Sequence, residues 1–192
     1  MISLTKKERE ALLILFKDFT SYYNANSISK ILKISHVGAQ KIFKRLKDIL
    51  ISKKIGKSII YKLNLEDDYT KKLVSFLLTE EANNFKRWKE EFRELFKENR
   101  IIIMFGSSIK NYSASKDIDI MIIMNKEDAK EINNILKEKE KILPKPIHAI
   151  KLTHNDLLNN IKKEAMIDII RNGIVLYGEN KYVELIKNVT GI

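Results

Sequence analysis

Apolar positions in the first third of the chain recur at spacings of three and four in three separate stretches, which predicts three helices. The first covers about residues 6–19, and Thr5 begins it with a capping box. The second is short and follows Ser27 as its N-cap, whereas the third follows Ser35 and carries its apolar face as far as Leu50. Two extended stretches around a glycine-containing turn complete this part as a β-hairpin.

The next segment, from Leu65 to Arg100, contains neither glycine nor proline and predicts a helical connector. Trp88 and several phenylalanines recur there at helical spacing. Two interpretations stay open. Either these aromatic residues pack as core on the domain that follows, or they form the interface of a homodimer.

The last part of the chain alternates apolar strands with helices, which predicts an α/β domain. Strands are expected at residues 100–105, 117–124, 146–152 and 173–177, and helices at 127–139, 155–163, 164–171 and 181–189. The predicted fold class is therefore α+β. Its three parts are an N-terminal domain at residues 1–64, a connector at 65–99 and the α/β domain at 100–192.

Charge is divided unevenly along the chain, which bears on the partner of the first part. Of the net charge of +11, nearly all arises in residues 1–64, which hold 14 Lys and Arg against 4 Asp and Glu. Residues 65–192 hold 22 against 21. Such asymmetry indicates a polyanion-binding unit joined to an electrically balanced one.

Three absences in the sequence bear on location. There is no cysteine, no apolar run long enough to cross a bilayer and no secretory signal pattern at the start. We therefore expect a cytoplasmic protein without membrane association.

The order helix, short helix, turn, longer helix and hairpin resembles the winged helix-turn-helix family across residues 5–64. That resemblance implies DNA as a partner, with the helix after Ser35 entering the major groove as the recognition helix. The expected DNA-binding residues lie on this helix and on the hairpin, or wing: His36, Gln40, Lys41, Lys44, Lys53, Lys54 and Lys57. Gln40 has the chemistry to pair with adenine, and the lysines suit phosphates. Winged helices also serve as protein-interaction modules, but the charge favours DNA.

Two carboxylates stand at the start of the second predicted strand of the α/β domain. Because residues two apart in a strand point to one face, Asp117 and Asp119 should emerge side by side. Their mutual repulsion favours a cation between them, and hard oxygen ligands suit Mg²⁺ shared with substrate phosphates. The turn at Gly106-Ser107 can bring backbone N–H groups close to a triphosphate.

Strand, Gly-Ser, spacer and Asp-x-Asp together resemble the polymerase-beta-type nucleotidyltransferase superfamily, particularly its minimal nucleotidyltransferases, over about residues 95–178. The resemblance implies a small mixed sheet and transfer of a nucleoside monophosphate from a nucleoside triphosphate. It places the triphosphate against Gly106, Ser107 and Ser108. It places Mg²⁺ or Mn²⁺ on Asp117 and Asp119.

The chain departs from that family pattern in two places. The spacer from Ser108 to Lys116 has nine residues, one fewer than is usual in the family, which a loop tolerates. The third carboxylate of the family has no counterpart in residues 146–150, where His148 stands. His148 is therefore either a substitute ligand or general base, or a plain strand histidine.

Two functions fit these features. The first is a metal-dependent nucleotidyltransferase with a DNA-binding winged helix, acting on a protein, an RNA or a small molecule. Since minimal nucleotidyltransferases often act as antitoxins that transfer adenylate to a toxin, a partner protein is one expected acceptor. The second is a non-catalytic transcription regulator whose nucleotidyltransferase-like domain senses nucleotide or dimerises. The missing third carboxylate is the reason to keep the second function.

Overall fold

The computed structural model describes residues 3–190, so positions 1–2 and 191–192 of the predicted outer domains lie outside the described residues. The first part contains three helices and a hairpin: α1 (Lys6–Lys17), α2 (Ala25–Leu32), α3 (His36–Arg45), β1 (Leu50–Ile55) and β2 (Ser58–Leu63). This is the order that the apolar pattern predicts. None of the helices within the described residues is long and apolar enough to span a membrane.

Reciprocal side-chain bonds fix the starts of the first two helices. The capping box at Thr5 is confirmed, because its hydroxyl accepts from the Glu8 N–H at 3.3 Å and its own N–H donates to the Glu8 carboxylate at 2.7 Å. The prediction of Ser27 as the second N-cap is wrong. Asn24 caps α2 and accepts from the Ser27 N–H at 2.9 Å, while Ser27 accepts from the Asn24 N–H at 2.9 Å. Helix α2 therefore starts one turn earlier than predicted.

Helix α3 begins as predicted but ends sooner. Ser35 is its N-cap and accepts from the Gly38 N–H at 3.0 Å. The apolar run continues past the helix end, with Ile49 in a 3₁₀ turn and Leu50 as the first residue of β1. Apolar periodicity alone does not distinguish a last helical turn from a buried turn that leads into a strand.

The connector contains α4 (Asp68–Ala82) and α5 (Lys86–Glu91), with short 3₁₀ turns after each. Trp88 is 5% exposed and Phe92 is fully buried, and both pack in one core with apolar residues of the following sheet. The structure therefore places Trp88 and Phe92 in the core, whereas Phe76 of α4 is 57% exposed.

A four-stranded mixed sheet forms the rest of the molecule. Its strands are β3 (Ile101–Phe105), β4 (Ile118–Ile123), β5 (Ile147–Leu152) and β6 (Ile174–Tyr177), in the order β5-β4-β3-β6. Strands β4 and β5 are parallel, whereas β3 is antiparallel to both of its neighbours. The helices are α6 (Ser107–Lys110), α7 (Ala129–Ile142), α8 (His154–Asn160), α9 (Glu164–Asn172) and α10 (Glu179–Thr190). The fold class α+β with a small mixed sheet is confirmed.

The two faces of the sheet belong to different cores, and one of them reaches the N-terminal helices. Alternate residues of β3 divide between the cores, as a strand buried on both faces requires. Ile103 shares its core with Phe16 of α1, whose ring meets Tyr182 of α10 edge-on at 5.8 Å. The helical unit thus packs directly on the sheet domain, and the apolar core crosses the boundary predicted at residue 64.

Candidate nucleotide site and nucleic-acid surface

The site is built where β3 ends and β4 and β5 begin. Gly106 follows β3 with φ +77° and ψ −159°, a conformation that essentially only glycine adopts. A Cβ at this position would lie 2.9 Å from Cγ of Asp119 and closer still to its Oδ2. Asp119 is the cross-strand partner of Phe105, so the register of the sheet places its carboxylate against the glycine backbone. The Gly-Ser turn and the second acid of Asp-x-Asp are therefore in direct contact.

His148 completes this group from the other side of Asp119. The two residues are register partners in the parallel pair β4/β5, and Nδ1 of His148 lies 2.9 Å from Oδ1 of Asp119. The Asp119 side chain is 15% exposed and the His148 side chain 63% exposed. The histidine thus contacts Asp119, one of the two acids, and its side chain is largely open to solvent.

The remaining predicted site residues lie around this pair. Asp117 is half-buried and lies immediately before the buried Ile118, the first residue of β4, rather than starting that strand itself. Ser107 is exposed and opens the short helix α6. Ser108 is buried, and its hydroxyl donates to the Phe105 carbonyl at 3.4 Å, so only its backbone N–H remains available to a ligand.

A divalent cation fits this donor set when a nucleotide brings part of its coordination. Within residues 3–190, no three His, Asp or Glu side chains lie close enough together to hold a metal ion by themselves. Mg²⁺, however, is commonly held by one or two carboxylates and completed by phosphates and water. Asp117 and Asp119 supply that number, and Gly106 keeps the side of Asp119 free of a Cβ that would displace it.

Comparison with known proteins supports this assignment for the second half of the chain. Residues 90–182 match the family model "Polymerase beta, Nucleotidyltransferase". The searches of curated proteins and of solved structures gave no match for the chain. The matched range holds every residue of the Gly-Ser and Asp-x-Asp pattern, and it starts within the predicted connector.

Within the matched range, sequence reasoning missed Lys145. It stands two residues before β5, and its ammonium donates to carbonyl oxygens of the loop at residues 111–116. That loop joins the Gly-Ser turn to Asp117. The sequence did contain an indication of its importance: the two prolines of the chain, Pro144 and Pro146, flank this lysine and restrict its backbone.

The N-terminal surface gathers most of the predicted DNA-binding residues at α3 and the hairpin. His36, Gln40 and Lys57 line a single cleft of about 240 Å³ between α2, α3 and the turn of the hairpin. The hairpin is held on α3 by Phe43, whose ring stacks on Tyr61 with 4.0 Å between centroids.

The lysines of this surface are exposed, and none makes an ion pair or hydrogen bond to another residue in the range 3–190: Lys41, Lys44, Lys53, Lys54 and Lys57. Their orientation differs on the hairpin. Lys54 pairs with Ile59, on the same face as Tyr61 and therefore toward α3. Lys53 pairs with Ile60 on the opposite face.

A charged network links the helical unit to the sheet domain. Lys17 of α1 is 8% exposed, donates to both oxygens of Glu81 at 2.6 and 2.7 Å, and donates to the Gly173 carbonyl at 2.7 Å. Arg171 donates to Asp18 at 2.8 Å. These bonds hold α1 against α4 and the start of β6.

The same network contains a tyrosine whose pKa is displaced. Tyr23 donates to the Asp18 carboxylate. Burial, then this hydrogen bond and the negative charge of Asp18, raise the pKa of Tyr23 to about 12. Burial also pushes the pKa of Asp18 upward, but the bonds from Tyr23 and Arg171 outweigh it and keep that pKa below its usual value.

Proposed function

We propose that the protein is a nucleotidyltransferase that carries a DNA-binding winged helix. The single observation that supports this proposal best is the position of Asp119, which lies between the Gly106 backbone and His148 in a domain that matches the nucleotidyltransferase family. If Asp119 were an ordinary exposed residue at a strand end, its carboxylate would not require a glycine in a glycine-only conformation next to it.

Each group of the site has a distinct role in this proposal. The backbone N–H groups at the start of α6 lack acceptors within the helix and would bind phosphates of a nucleoside triphosphate. Asp117 and Asp119 would hold Mg²⁺ or Mn²⁺ together with those phosphates. Such a cation, when bound, neutralises charge that develops on the phosphate oxygens.

His148 is proposed as the general base. Since an ionised carboxylate only accepts hydrogen bonds, an ionised Asp119 would take the ring proton on Nδ1 of His148 and leave the Nε2 lone pair free. Nε2 accepts the proton of the acceptor hydroxyl as its oxygen attacks the α-phosphorus. The bond from the α-phosphorus to the bridging oxygen breaks, and pyrophosphate leaves. The acceptor is a protein, an RNA or a small molecule, and a partner protein of the toxin kind is one setting.

Transfer of label tests this function directly. The full-length protein is incubated with each common nucleoside triphosphate labelled at the α-phosphate, with Mg²⁺ or Mn²⁺, and with protein and RNA acceptors. Asp119→Asn should abolish transfer, whereas Asp168→Asn should not, because Asp168 is exposed on α9 and, among residues 3–190, hydrogen-bonds only Asn172. Absence of label with every donor, or full activity in Asp119→Asn, refutes the enzymatic proposal.

DNA binding is proposed for the N-terminal unit on the strength of its charge. Exposed lysines without protein partners keep their charge available to phosphates, and three of the four acids in residues 1–64 are already engaged: Glu8 with Arg45, Glu10 with Lys7 and Asp18 with Arg171. The orientation of Lys54 and the cleft at Gln40 agree with a recognition helix flanked by a wing.

The salt dependence of DNA binding tests that role. Affinity for duplex DNA should fall steeply with salt, and Lys41→Gln and Lys44→Gln should each reduce the slope of log K against log salt by about 0.9 per lost phosphate contact. Lys137→Gln, on the exposed side of α7, is the control. Unchanged binding in the double variant would count against α3 as the recognition helix. Binding as a homodimer to two half-sites stays a prediction.

A non-catalytic regulator is the second candidate. It is favoured by the lack of a three-ligand metal site within residues 3–190. In that case nucleoside triphosphate binds without transfer of label, and its presence changes the affinity for DNA. The label assay and the DNA titration together separate the two functions.

A further inference from the structure

We propose that Lys145 is a positioning residue of the nucleotide site, which holds the loop at residues 111–116 and through it the position of Asp117. This role rests on the proposed nucleotidyl transfer. Lys145 lies outside the Gly-Ser and Asp-x-Asp pattern, and its contacts alone connect it with the site.

The ammonium of Lys145 is bound by the loop from several sides. It donates to the carbonyl oxygens of Tyr112 and Ser115, lies 3.2 Å from the Ser115 hydroxyl and 3.4 Å from the Ser113 carbonyl. Four oxygens from three loop residues thus converge on a group with three N–H donors. The Tyr112 carbonyl also accepts from the Ser115 N–H at 3.3 Å and the Ser115 hydroxyl at 2.9 Å, so the ammonium joins bonds that already fold the loop on itself.

The ring of Tyr112 adds a second set of contacts to the same loop. The Lys145 ammonium lies 4.4 Å from its centroid, and the Arg87 guanidinium lies 4.7 Å from it. Trp88 meets the ring edge-on, with 5.2 Å between centroids. Tyr112 is therefore held between two cations and a tryptophan of the buried core, which anchors the loop to α5.

The backbone around Lys145 is itself restricted. Proline fixes its own φ and confines the preceding residue to extended conformations, so Pro144 and Pro146 limit the rotations open to the segment. The carbonyl of Pro146 accepts from the Ile118 N–H at 2.9 Å. Ile118 stands between Asp117 and Asp119. Residues 144–146 therefore position the acid pair in two ways: Pro146 bonds the backbone between the two acids, and Lys145 holds the loop that precedes Asp117.

Loss of the ammonium should act on turnover more than on binding. The Gly-Ser turn that receives the phosphates precedes the loop, whereas Asp117 follows it. Lys145→Met keeps most of the side-chain volume but releases the loop carbonyls. Because a misplacement of about 1 Å in a reacting geometry costs about a hundredfold in rate, kcat should fall by roughly ten- to a hundredfold, with KM for the nucleoside triphosphate nearly unchanged.

Two structural measurements on the full-length protein accompany the kinetics. Hydrogen exchange at residues 111–116 should accelerate in Lys145→Met. The fluorescence of Trp88 should change as well, because it is the only tryptophan and touches Tyr112. Lys141→Met is the matched control, since Lys141 is 67% exposed and its one ion pair in the described part of the chain is with Glu138. Lys145→Arg, which keeps the charge and donors, should recover part of kcat.

The outcomes separate the positioning role from the proposed function. Unchanged exchange and fluorescence in an active Lys145→Met protein overturn the positioning role alone, and so does an equal loss in Lys141→Met. A wild-type protein that transfers no label overturns the function, and the positioning role falls with it. If Lys145→Met does not fold, Ser115→Ala removes one oxygen acceptor. It should then give a smaller increase in loop exchange, and no increase would contradict the proposal.

Discussion

Substitution of Gly106 by alanine is the sharpest test of the nucleotide site, because Gly56 provides a matched comparison. Both glycines have positive φ, +77° for Gly106 and +58° for Gly56. An alanine Cβ at Gly56 would meet nothing within 4 Å, whereas at Gly106 it would meet the Asp119 carboxylate. Comparing the two variants therefore separates the cost of backbone strain, present in both, from displacement of Asp119, present only in Gly106→Ala.

The expected magnitudes follow from these two environments. At Gly56, left-handed backbone costs an alanine about 1 kcal/mol of folding stability. At Gly106, the glycine-only conformation costs about 2–3 kcal/mol. The carboxylate of Asp119 must also move on the order of 1 Å to clear the Cβ, which a rotation of its side chain permits. A displacement of that size in the reacting geometry corresponds to a loss of about a hundredfold in kcat.

Three measurements on each variant check this reasoning. Urea denaturation gives the free energy of unfolding, the label assay gives kcat, and NMR of the histidine side chains reports the bond between His148 and Asp119. Gly106→Ala should be less stable than Gly56→Ala by about 1–2 kcal/mol. It should also shift the His148 resonances, which Gly56→Ala should leave unchanged. Equal stability in the two variants, together with unperturbed His148 signals, would refute the packing of Asp119 on Gly106.

Three further predictions concern the junction and the loop. Lys17→Met should lower the free energy of unfolding by about 3 kcal/mol in urea denaturation, because it leaves Glu81 with no cation in a largely buried setting; a loss below 1 kcal/mol would contradict this. Tyr23 should titrate near pH 12 by tyrosinate absorbance. The stability from its raised pKa is thus fully present below about pH 10 and lost as the pH rises to 12, and Asp18→Asn should shift the titration down. Tyr112→Phe should leave stability unchanged or raise it, since the Tyr112 hydroxyl is buried without a hydrogen-bond partner among residues 3–190; a clear loss in a thermal melt would show a partner for that hydroxyl.

Local signals in the sequence were sufficient for the elements that depend on neighbouring residues. The capping box at Thr5, the N-cap at Ser35 and the apolar strands were predicted correctly, because each depends on side chains a few positions apart. Where two residues could each act as the N-cap of one helix, the prediction from sequence was wrong. Ser27 had the chemistry of an N-cap, but Asn24 three residues earlier allowed a reciprocal pair of bonds and a longer helix.

The site divides in the same way. Gly106, Asp117 and Asp119 were found from their spacing, since the pattern lies within a single strand, loop and strand. His148 was left with two interpretations because its relation to Asp119 depends on the register of two parallel strands, and 28 intervening residues separate them. Lys145 was missed because its partners are backbone carbonyls of a loop. Every residue has a backbone carbonyl, so the sequence does not show which of them a lysine contacts.

By itself, the sequence determined the order of helices and strands, the uneven distribution of charge and the residues of the Gly-Ser and Asp-x-Asp pattern. These follow from local preferences and from counts, which need no knowledge of distant contacts. Only the tertiary structure placed Asp119 against both Gly106 and His148, turned Ser108 inward and packed α1 onto the sheet. Those features depend on strand register and on packing between segments far apart in the chain. Sequences with the same local pattern can adopt a different register or packing, so the local pattern does not determine them.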